Sequence, residues 1–514
     1  GVSEEMLPAG WIKCPTSDVA AFVRGVTYSK DDARKTEAEG FRPILRANNI
    51  DGTINLDDLV FVRTDLISVA QELCSGDILF AMSSGSRNLV GKSARVTRDM
   101  DAGFGAFCGV LRPVPEVSCE FVAWVYQTRE FRRAISEVAK GSNINNLKRE
   151  HLLDYVVPLP PLNEQKRIVE KIEELFSELD AGEESLRRAR RQLGVYRQSL
   201  LKQAFEGKLT AKWREEHPEL LETPEQLIER VHSERYARYE QDLNEWESDG
   251  RGGKPKRPAP IKPFDSADLV GKPILAPNWI VLTYGDLCSM VRNGISQKPS
   301  GTTGFKIVRI SAVRPMAFDS ADYRFIDCSD EMAADYTLSE GDLVFTRYNG
   351  AKRFVGVCAR FRGQETRLYP DKLIRTCPNL PSLDARFLEI ALNTGLSRAW
   401  IETKIRTTAG QSGVSGGDIR AMPVPLCSLP EQQEIVRLLD EQFSVIEENE
   451  REIDAALKRS EALRQSILKK AFTGQLVPQD PSDEPASVLL ERIRAEQGKA
   501  TESGKKRAAT KIRP

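Results

Sequence analysis

VPLPPLNEQKRIVEKIEELFSELD, from Val157 to Asp180, returns as VPLCSLPEQQEIVRLLDEQFSVIE, from Val424 to Glu447. The same offset of 267 positions relates RQSLLKQAFEGKL (Arg197–Leu209) to RQSILKKAFTGQL (Arg464–Leu476). An ungapped match over about 50 residues, roughly two-fifths identical, marks an internal duplication, and such repeats organise a fold before any other signal. Working outward, Leu7-Pro8-Ala9-Gly10-Trp11 is echoed by Ala276-Pro277-Asn278-Trp279, GDILF at Gly76 by GDLVF at Gly341, and GSRNLVGKSARV at Gly85 by GAKRFVGVCARF at Gly350. Downstream, TPEQLIERVHSER from Thr223 resembles EPASVLLERIRAEQ from Glu484. The chain is two copies of one plan, a variable globular block followed by a better-preserved helical block.

In the first helical block Ile168, Ile172, Leu175, Leu179, Leu186, Ala189, Leu193, Tyr196 and Leu200 recur at steps of three, four or seven. Ile435, Leu439, Phe443, Ile446, Ile453, Ala456, Leu463 and Ile467 do nearly the same in the second. Each apolar stripe requires a partner, and the other copy is the obvious one. About 40 helical residues at ~1.5 Å each make a rod of about 60 Å, a spacer rather than a core helix. Pro158, Pro160 and Pro161, and Pro425 and Pro430, mark abrupt passages from extended chain into helix.

The globular blocks carry short β-rich runs between polar turns, such as DLVFV (Asp58–Val62), GDILFAM (Gly76–Met82), FKIVRI (Phe305–Ile310) and GDLVFTR (Gly341–Arg347), as expected of α+β domains. Asp77 and Asp342 read as turn-forming residues before a buried strand. Thr223-Pro224-Glu225-Gln226 predicts a capping-box helix start with proline in the first helical position. The Gly-, Pro- and Lys-rich stretch from Ser248 to Pro263 reads as a flexible linker, and the basic tail from Gly504 as disordered. The expected divisions are a first globular block at 1–157, a first helical region with an extra helix at 158–247 and a linker at 248–264. A second globular block at 265–423, a second helical region at 424–477 and a C-terminal helix with basic tail at 478–514 complete the chain.

Composition narrows the function classes. At 514 residues the chain exceeds one ordinary core, and with 75 acids against 74 bases its formal charge is -1. That balance argues against coating nucleic acid or membrane by bulk charge while leaving room for local basic patches. No run approaches about 18 apolar residues and the N-terminal stretch lacks a signal-peptide core, so the expectation is a cytoplasmic protein without membrane contact. Nine cysteines without a CxxC pair read as reduced thiols, and three histidines, His151, His217 and His232, leave no zinc-binding pattern. The Gly85–Ser93 segment has five residues between its glycines where a phosphate-binding Walker loop has four, and its counterpart ends Gly356-Val357-Cys358 without the lysine. Gly103-Phe104-Gly105 misses the dinucleotide spacing and reads as a strand turn. Neither an (N/D)PP(Y/F) strip nor a methyl-donor loop is present, so the residues carry no evident reaction and no metal site.

Both variable blocks interleave basic and amide side chains with aromatics at matching positions. The first offers Arg24, Tyr28 and Lys30, then Arg46, Asn48 and Asn49, then Ser83, Ser84, Arg87 and Lys92, then Asn143, Asn145 and Asn146. The second offers Arg292, Asn293, Gln297 and Lys298, then Arg309, then Arg347, Tyr348, Asn349, Lys352 and Arg353, then Gln411 and Ser412. Arginine suits guanine edges, Asn and Gln suit adenine, and Lys and Ser suit phosphates. Any one of them also fits a solvated surface group; the case for DNA rests on two such sets held apart by a rod. Two diverged readers in one chain should address two different half-sites about one helical turn apart, roughly 34 to 36 Å.

On LPAGW, RGVTYSK at Arg24, SSGS at Ser83 with VGKSA at Val90, PLPPLNEQ, PVPLCSLPEQQ, QAFEGKLTAKWR (Gln203–Arg214) and KAFTGQLV (Lys470–Val477), the chain resembles the specificity subunit (HsdS) family of type I restriction-modification systems. Cys427-Ser428 departs from the usual Pro-Pro, and residues from about Glu215 to Pro263 are long for a central connector. The resemblance implies two α/β target recognition domains in a pseudo-two-fold arrangement, separated by two long helices in an antiparallel coiled coil. Each domain would read one half of an asymmetric bipartite double-stranded DNA target. It also implies no catalysis and no cofactor in this chain. Two modification subunits would bring S-adenosylmethionine, methylate adenine and extrude the base, and two restriction subunits would bring ATP and Mg2+ for translocation and cleavage. A stand-alone fused restriction-methylation enzyme and a coiled-coil scaffold are the competing readings; the first lacks its motifs and the second leaves the two readers unexplained.

Overall fold

The computed structural model describes residues 7–83, 89–140, 146–249, 253–264, 269, 275–408 and 410–510. The chain divides into two compact units, residues 1–188 with 453–514, and residues 189–452. Each unit therefore combines one globular block with the start of one long helix and the end of the other. The long helices are Leu162–Phe205 and Leu429–Phe472, 44 residues each, or about 66 Å at ~1.5 Å per residue.

In the first unit a four-stranded antiparallel sheet runs in the order Ala20–Arg24, Cys108–Pro113, Ile78–Ala81, Ser93–Arg95. The second unit repeats it as Val291–Asn293, Leu373–Thr376, Leu343–Thr346, Cys358–Arg360. The central strands Ile78–Ala81 and Leu343–Thr346 are buried at every residue, as expected for continuous apolar runs with both faces covered. Asp77 and Asp342 do close the turns before them: their carboxylates accept the Cys74 and Ser339 backbone N–H groups at 2.9 and 2.6 Å. They also pair with arginines of the neighbouring strand, Arg112 at 2.7 Å and Arg375 at 2.6 Å. Burial pushes the Asp342 carboxyl up from its ordinary range, against the Ser339 N–H and Arg375.

The first strand of each block pairs antiparallel with the strand that leads into its long helix, Ile12–Pro15 with Val156–Leu159 and Ile280–Thr283 with Pro423–Leu426. The helix starts repeat as well. Glu164 accepts the Trp11 indole N–H at 3.0 Å, and Glu431 accepts the Asn278 amide at 3.2 Å together with Thr210 and Arg214 at 2.8 and 2.6 Å. Gln165 accepts Ser118 N–H and donates to Pro160 O, both at 2.9 Å. Gln432 accepts Asp384 N–H at 2.9 Å and donates to Ser382 O and Cys427 O at 3.1 and 2.9 Å. Ser118 and Asp384 are themselves helix N-caps, so each glutamine ties a block helix to the first turn of a long helix. Both long helices stop at a glycine with φ of +71°, Gly207 and Gly474, a conformation that terminates helices and disfavours side chains.

Within each unit the long-helix segments run antiparallel. Arg464 meets Asp180 and Glu183 at 2.6 and 3.1 Å and stacks on Phe176 in the first unit. In the second, Tyr196 reaches Gln442 at 3.1 Å while Arg197 covers the Phe443 ring and approaches Glu450 at 3.6 Å. The apolar stripe is not covered throughout. Ile168, Ile172, Leu200, Ile435 and Leu439 are buried against the globular blocks, whereas Tyr196 and Leu463 are exposed, because a two-helix seam shields only a narrow strip.

Three expectations about connecting segments meet the structure differently. The capping box forms as read, with Thr223 and Gln226 exchanging bonds at 2.8 and 3.3 Å at the start of Pro224–Asp249. Residues 253–264 carry no regular element but do not hang free: Arg257 stacks on Tyr236 and donates to its hydroxyl, Lys254 covers Trp246, and Phe264 N–H bonds Val281 O. The helix Ala486–Thr510 continues through the basic segment expected to be disordered, since Lys, Arg and Ala are good helix formers and no proline intervenes before Pro514. No helix of the described residues is long and apolar enough to cross a membrane.

Candidate nucleic-acid interface

In the second block, chain segments far apart in sequence converge on a cleft of about 850 Å³. The strand pair Phe305–Val308 with Tyr323–Ile326 supplies one wall, with Arg309, Arg314 and Arg324. Gln297 and Lys298 come from the chain beyond Val291–Asn293, and Tyr348, Asn349 and Gln411 from a small three-stranded sheet in which Asn349 faces Ser412 and Tyr348 faces Gly413. Lys372 completes the lining. The cleft wall carries five cations, Lys298, Arg309, Arg314, Arg324 and Lys372, against one carboxylate, Asp371. Most of these charges are not spent on carboxylates. Arg314 lies over the Phe354 ring at 4.6 Å, Arg347 behind the cleft lies over Tyr348 at 4.7 Å and donates to Asp371 O, and among the described residues only Arg309 of the five meets a carboxylate, Asp322 at 3.6 Å. An arginine held on an aromatic face, unlike one paired with a carboxylate, retains a net positive charge that a polyanion can take up.

The structure thus gathers Gln297, Lys298, Arg309, Tyr348, Asn349 and Gln411, with Arg347 immediately behind. It sets others aside. Arg292 is folded over Tyr336 at 4.3 Å and bonded to Asp335, and these partners hold its guanidinium pKa up despite the burial that opposes them. Lys352 and Arg353 occupy a short 3-10 turn outside the cleft lining, Arg353 over Phe354. Asn293 ends its strand exposed. Sequence reading missed Arg314, Arg324 and Lys372. Matching the copies strand by strand finds Lys372 one residue before the central strand Leu373–Thr376.

The first block shows the same framework with different side chains. Val26 bridges Gly105 in parallel as Ile295 bridges Pro370, and Ser83 bridges Asn146 as Asn349 pairs Ser412. The approach is so close that a Cβ at Gly25 would lie 2.1 Å from Gly105 O, and one at Gly294 2.3 Å from Pro370 O; glycine is required at both. Arg24 ends its strand exposed, Lys30 is exposed, and Tyr28 is half-buried, its hydroxyl pKa raised by burial despite nearby Arg46. Asn49 departs from its expected role: it is 1% exposed, and its side chain donates to Asn55 O and Asp57 O and accepts Arg46 N–H, so it shapes a turn. Arg46 and Asn48 both bond Asp58, and Lys92 pairs with Asp51 at 2.5 Å. Lys92 thus stands beside a carboxylate rather than in a phosphate loop. Ser84, Arg87, Asn143 and Asn145 lie outside the described residues.

A family profile described as "Type I restriction modification DNA specificity domain" matches residues 8–186. The chain is 35% identical to the type I restriction enzyme EcoKI specificity subunit of Escherichia coli K12, over 99% of this chain and all of the relative. It is 30% identical to the StySPI specificity subunit of Salmonella potsdam, over 98% of this chain and 99% of the relative. Among solved structures, a chain from work titled as the structural basis of complex assembly and conformational transition of the type I R-M system aligns with a TM-score of 0.61. The alignment covers 91% of this chain and 99% of that one at 17% identity, a likeness of fold.

Proposed function

The chain belongs to the specificity-subunit family of type I restriction-modification systems, and from that premise we propose that its two globular blocks each read one half of an asymmetric, bipartite DNA target. The observation that carries the reading is the second-block cleft, where amide and aromatic side chains share one surface with five cations against one carboxylate, on a framework that the first block repeats. Phosphate contacts would set the register of the duplex, while Gln297, Asn349 and Gln411 would meet base edges. The antiparallel long helices would fix the number of unread base pairs between the half-sites.

Chemistry would fall to partners. Two modification subunits would carry S-adenosylmethionine and methylate adenine in each half-site, and two restriction subunits would supply ATP- and Mg2+-dependent translocation and cleavage. The near-neutral charge of the chain fits this division, because little of the counterion release that holds DNA would come from it. The purified chain, incubated with DNA and labelled S-adenosylmethionine, is expected to transfer no methyl group until the modification partner is added. Transfer by the chain alone refutes the division of labour.

A further inference from the structure

Phe107 is an aromatic side chain of the first block that the fold leaves in solvent. It is 69% exposed, and it stands in the turn immediately before the buried central strand Cys108–Pro113. The backbone places it against the opposite loop: Phe107 O accepts the N–H groups of both Met82 and Ser83, at 2.8 and 3.1 Å. The second block repeats this arrangement at Lys372, whose carbonyl accepts the N–H groups of Arg347 and Tyr348 at 2.9 and 3.4 Å just before the strand Leu373–Thr376. Lys372 lines the cationic cleft. Phe107 therefore occupies, in the first block, the position that contributes a cleft-wall side chain in the second.

Among the described residues of the first block, no packing contact calls for a phenyl ring there. The turn is closed through backbone, with Cys108 N–H donating to Gly105 O at 2.8 Å, and the aromatic core of the block is built from Phe80, Phe121, Tyr126 and Phe131. Leaving a large apolar ring in water is unfavourable, and a site that keeps one exposed next to polar groups gains it back when a partner covers the ring. The cover fitting this position is a base: its flat face, or the thymine methyl in the major groove, meets an aromatic side chain by apolar contact.

We propose that Phe107 is a base-contacting specificity residue for the first half-site, doing with apolar contact what Lys372 does with charge at the second. The proposal rests on the DNA-reading function above. It predicts a difference in kind between the two positions. Lys372 neutralises a phosphate or an electronegative base edge and adds to the salt dependence of binding; Phe107 adds affinity for the right sequence with no counterion released.

The test uses the full chain assembled with its modification partner and two duplexes, one containing the target read from the adenine methylome of cells carrying both, the other a scramble of it. Phe107→Ala should weaken binding to the target duplex about tenfold or more, leave the scrambled duplex unchanged, and keep the slope of log affinity against log salt. Lys372→Ala should lower that slope by about 0.9. Phe107→Trp should retain most of the target affinity, which separates loss of the ring from damage to the fold, and all variants should melt with the parent. Equal binding of Phe107→Ala and parent, or equal loss on both duplexes, overturns the proposal while leaving DNA reading intact. A parent assembly that does not prefer its target duplex overturns the DNA reading, and the proposal with it.

Discussion

Gln432→Leu tests how a globular block is fastened to its long helix. The Gln432 side chain is fully buried and makes three bonds to backbone groups, from Asp384 N–H and to Ser382 O and Cys427 O. Leucine fills a similar volume and pairs with none of them. Each buried backbone partner left unsatisfied costs about 1–3 kcal/mol, and the added apolar burial returns about 1–2 kcal/mol, so a net loss of about 3 kcal/mol is expected. For a unit the size of residues 189–452, with about 2–4 °C per kcal/mol, the transition should fall by roughly 6–12 °C. Gln165→Leu removes two such bonds and should lower the first unit by a smaller amount, leaving the second alone. Scanning calorimetry of the full chain resolves both. A shift below about 2 °C for Gln432→Leu, or one no larger than that of Gln165→Leu, refutes the reasoning that this amide network anchors the block.

Other perturbations follow from the same geometry. Asp342→Ala removes the carboxylate that pairs with Arg375 and accepts the Ser339 N–H, leaving the guanidinium its bonds to Thr337 O and Ser339 Oγ, and should cost about 3 kcal/mol by urea unfolding, more than Asp322→Ala at the exposed Arg309 pair. Glu183 is held below the ordinary carboxylate range by the Ser460 hydroxyl and Arg464. A depressed folded-state pKa stabilises above the unfolded value and is lost as pH falls through the folded one, so the helix contact should weaken on acidification below about pH 4.5, and Glu183→Gln should flatten that dependence in a pH series of melting curves. Arg24→Ala, Arg347→Ala and Asn349→Ala should weaken target binding more than binding to a scrambled duplex; equal losses would demote them to phosphate contacts.

The duplication made most of the architecture legible, because the 267-residue offset is a property of letters alone and the heptad-like spacing fixes where the long helices run. The stripe misled at Tyr196 and Leu463, where apolar periodicity continues past the surface that two helices can bury. The second-block cleft was half legible. Gln297, Tyr348, Asn349 and Gln411 stood out by residue type, but Arg314, Arg324 and Lys372 become neighbours only through strand pairings between distant segments. Asn49 failed for the opposite reason, since an amide suited to adenine is equally suited to three backbone groups of a turn. Phe107 carried no signal of its own, because an aromatic between glycine-rich turn and strand reads as core until its exposure and its match to Lys372 are seen together.

The central claim is that each globular block reads its own half-site while the paired helices set the gap. It is tested most directly by adenine-methylome sequencing of cells carrying the modification partner and a chain whose residues 7–157 are replaced by those of another specificity subunit. The account predicts a methylated target in which one half-site changes while the other half-site and the spacer length persist. A target altered in both halves would contradict it.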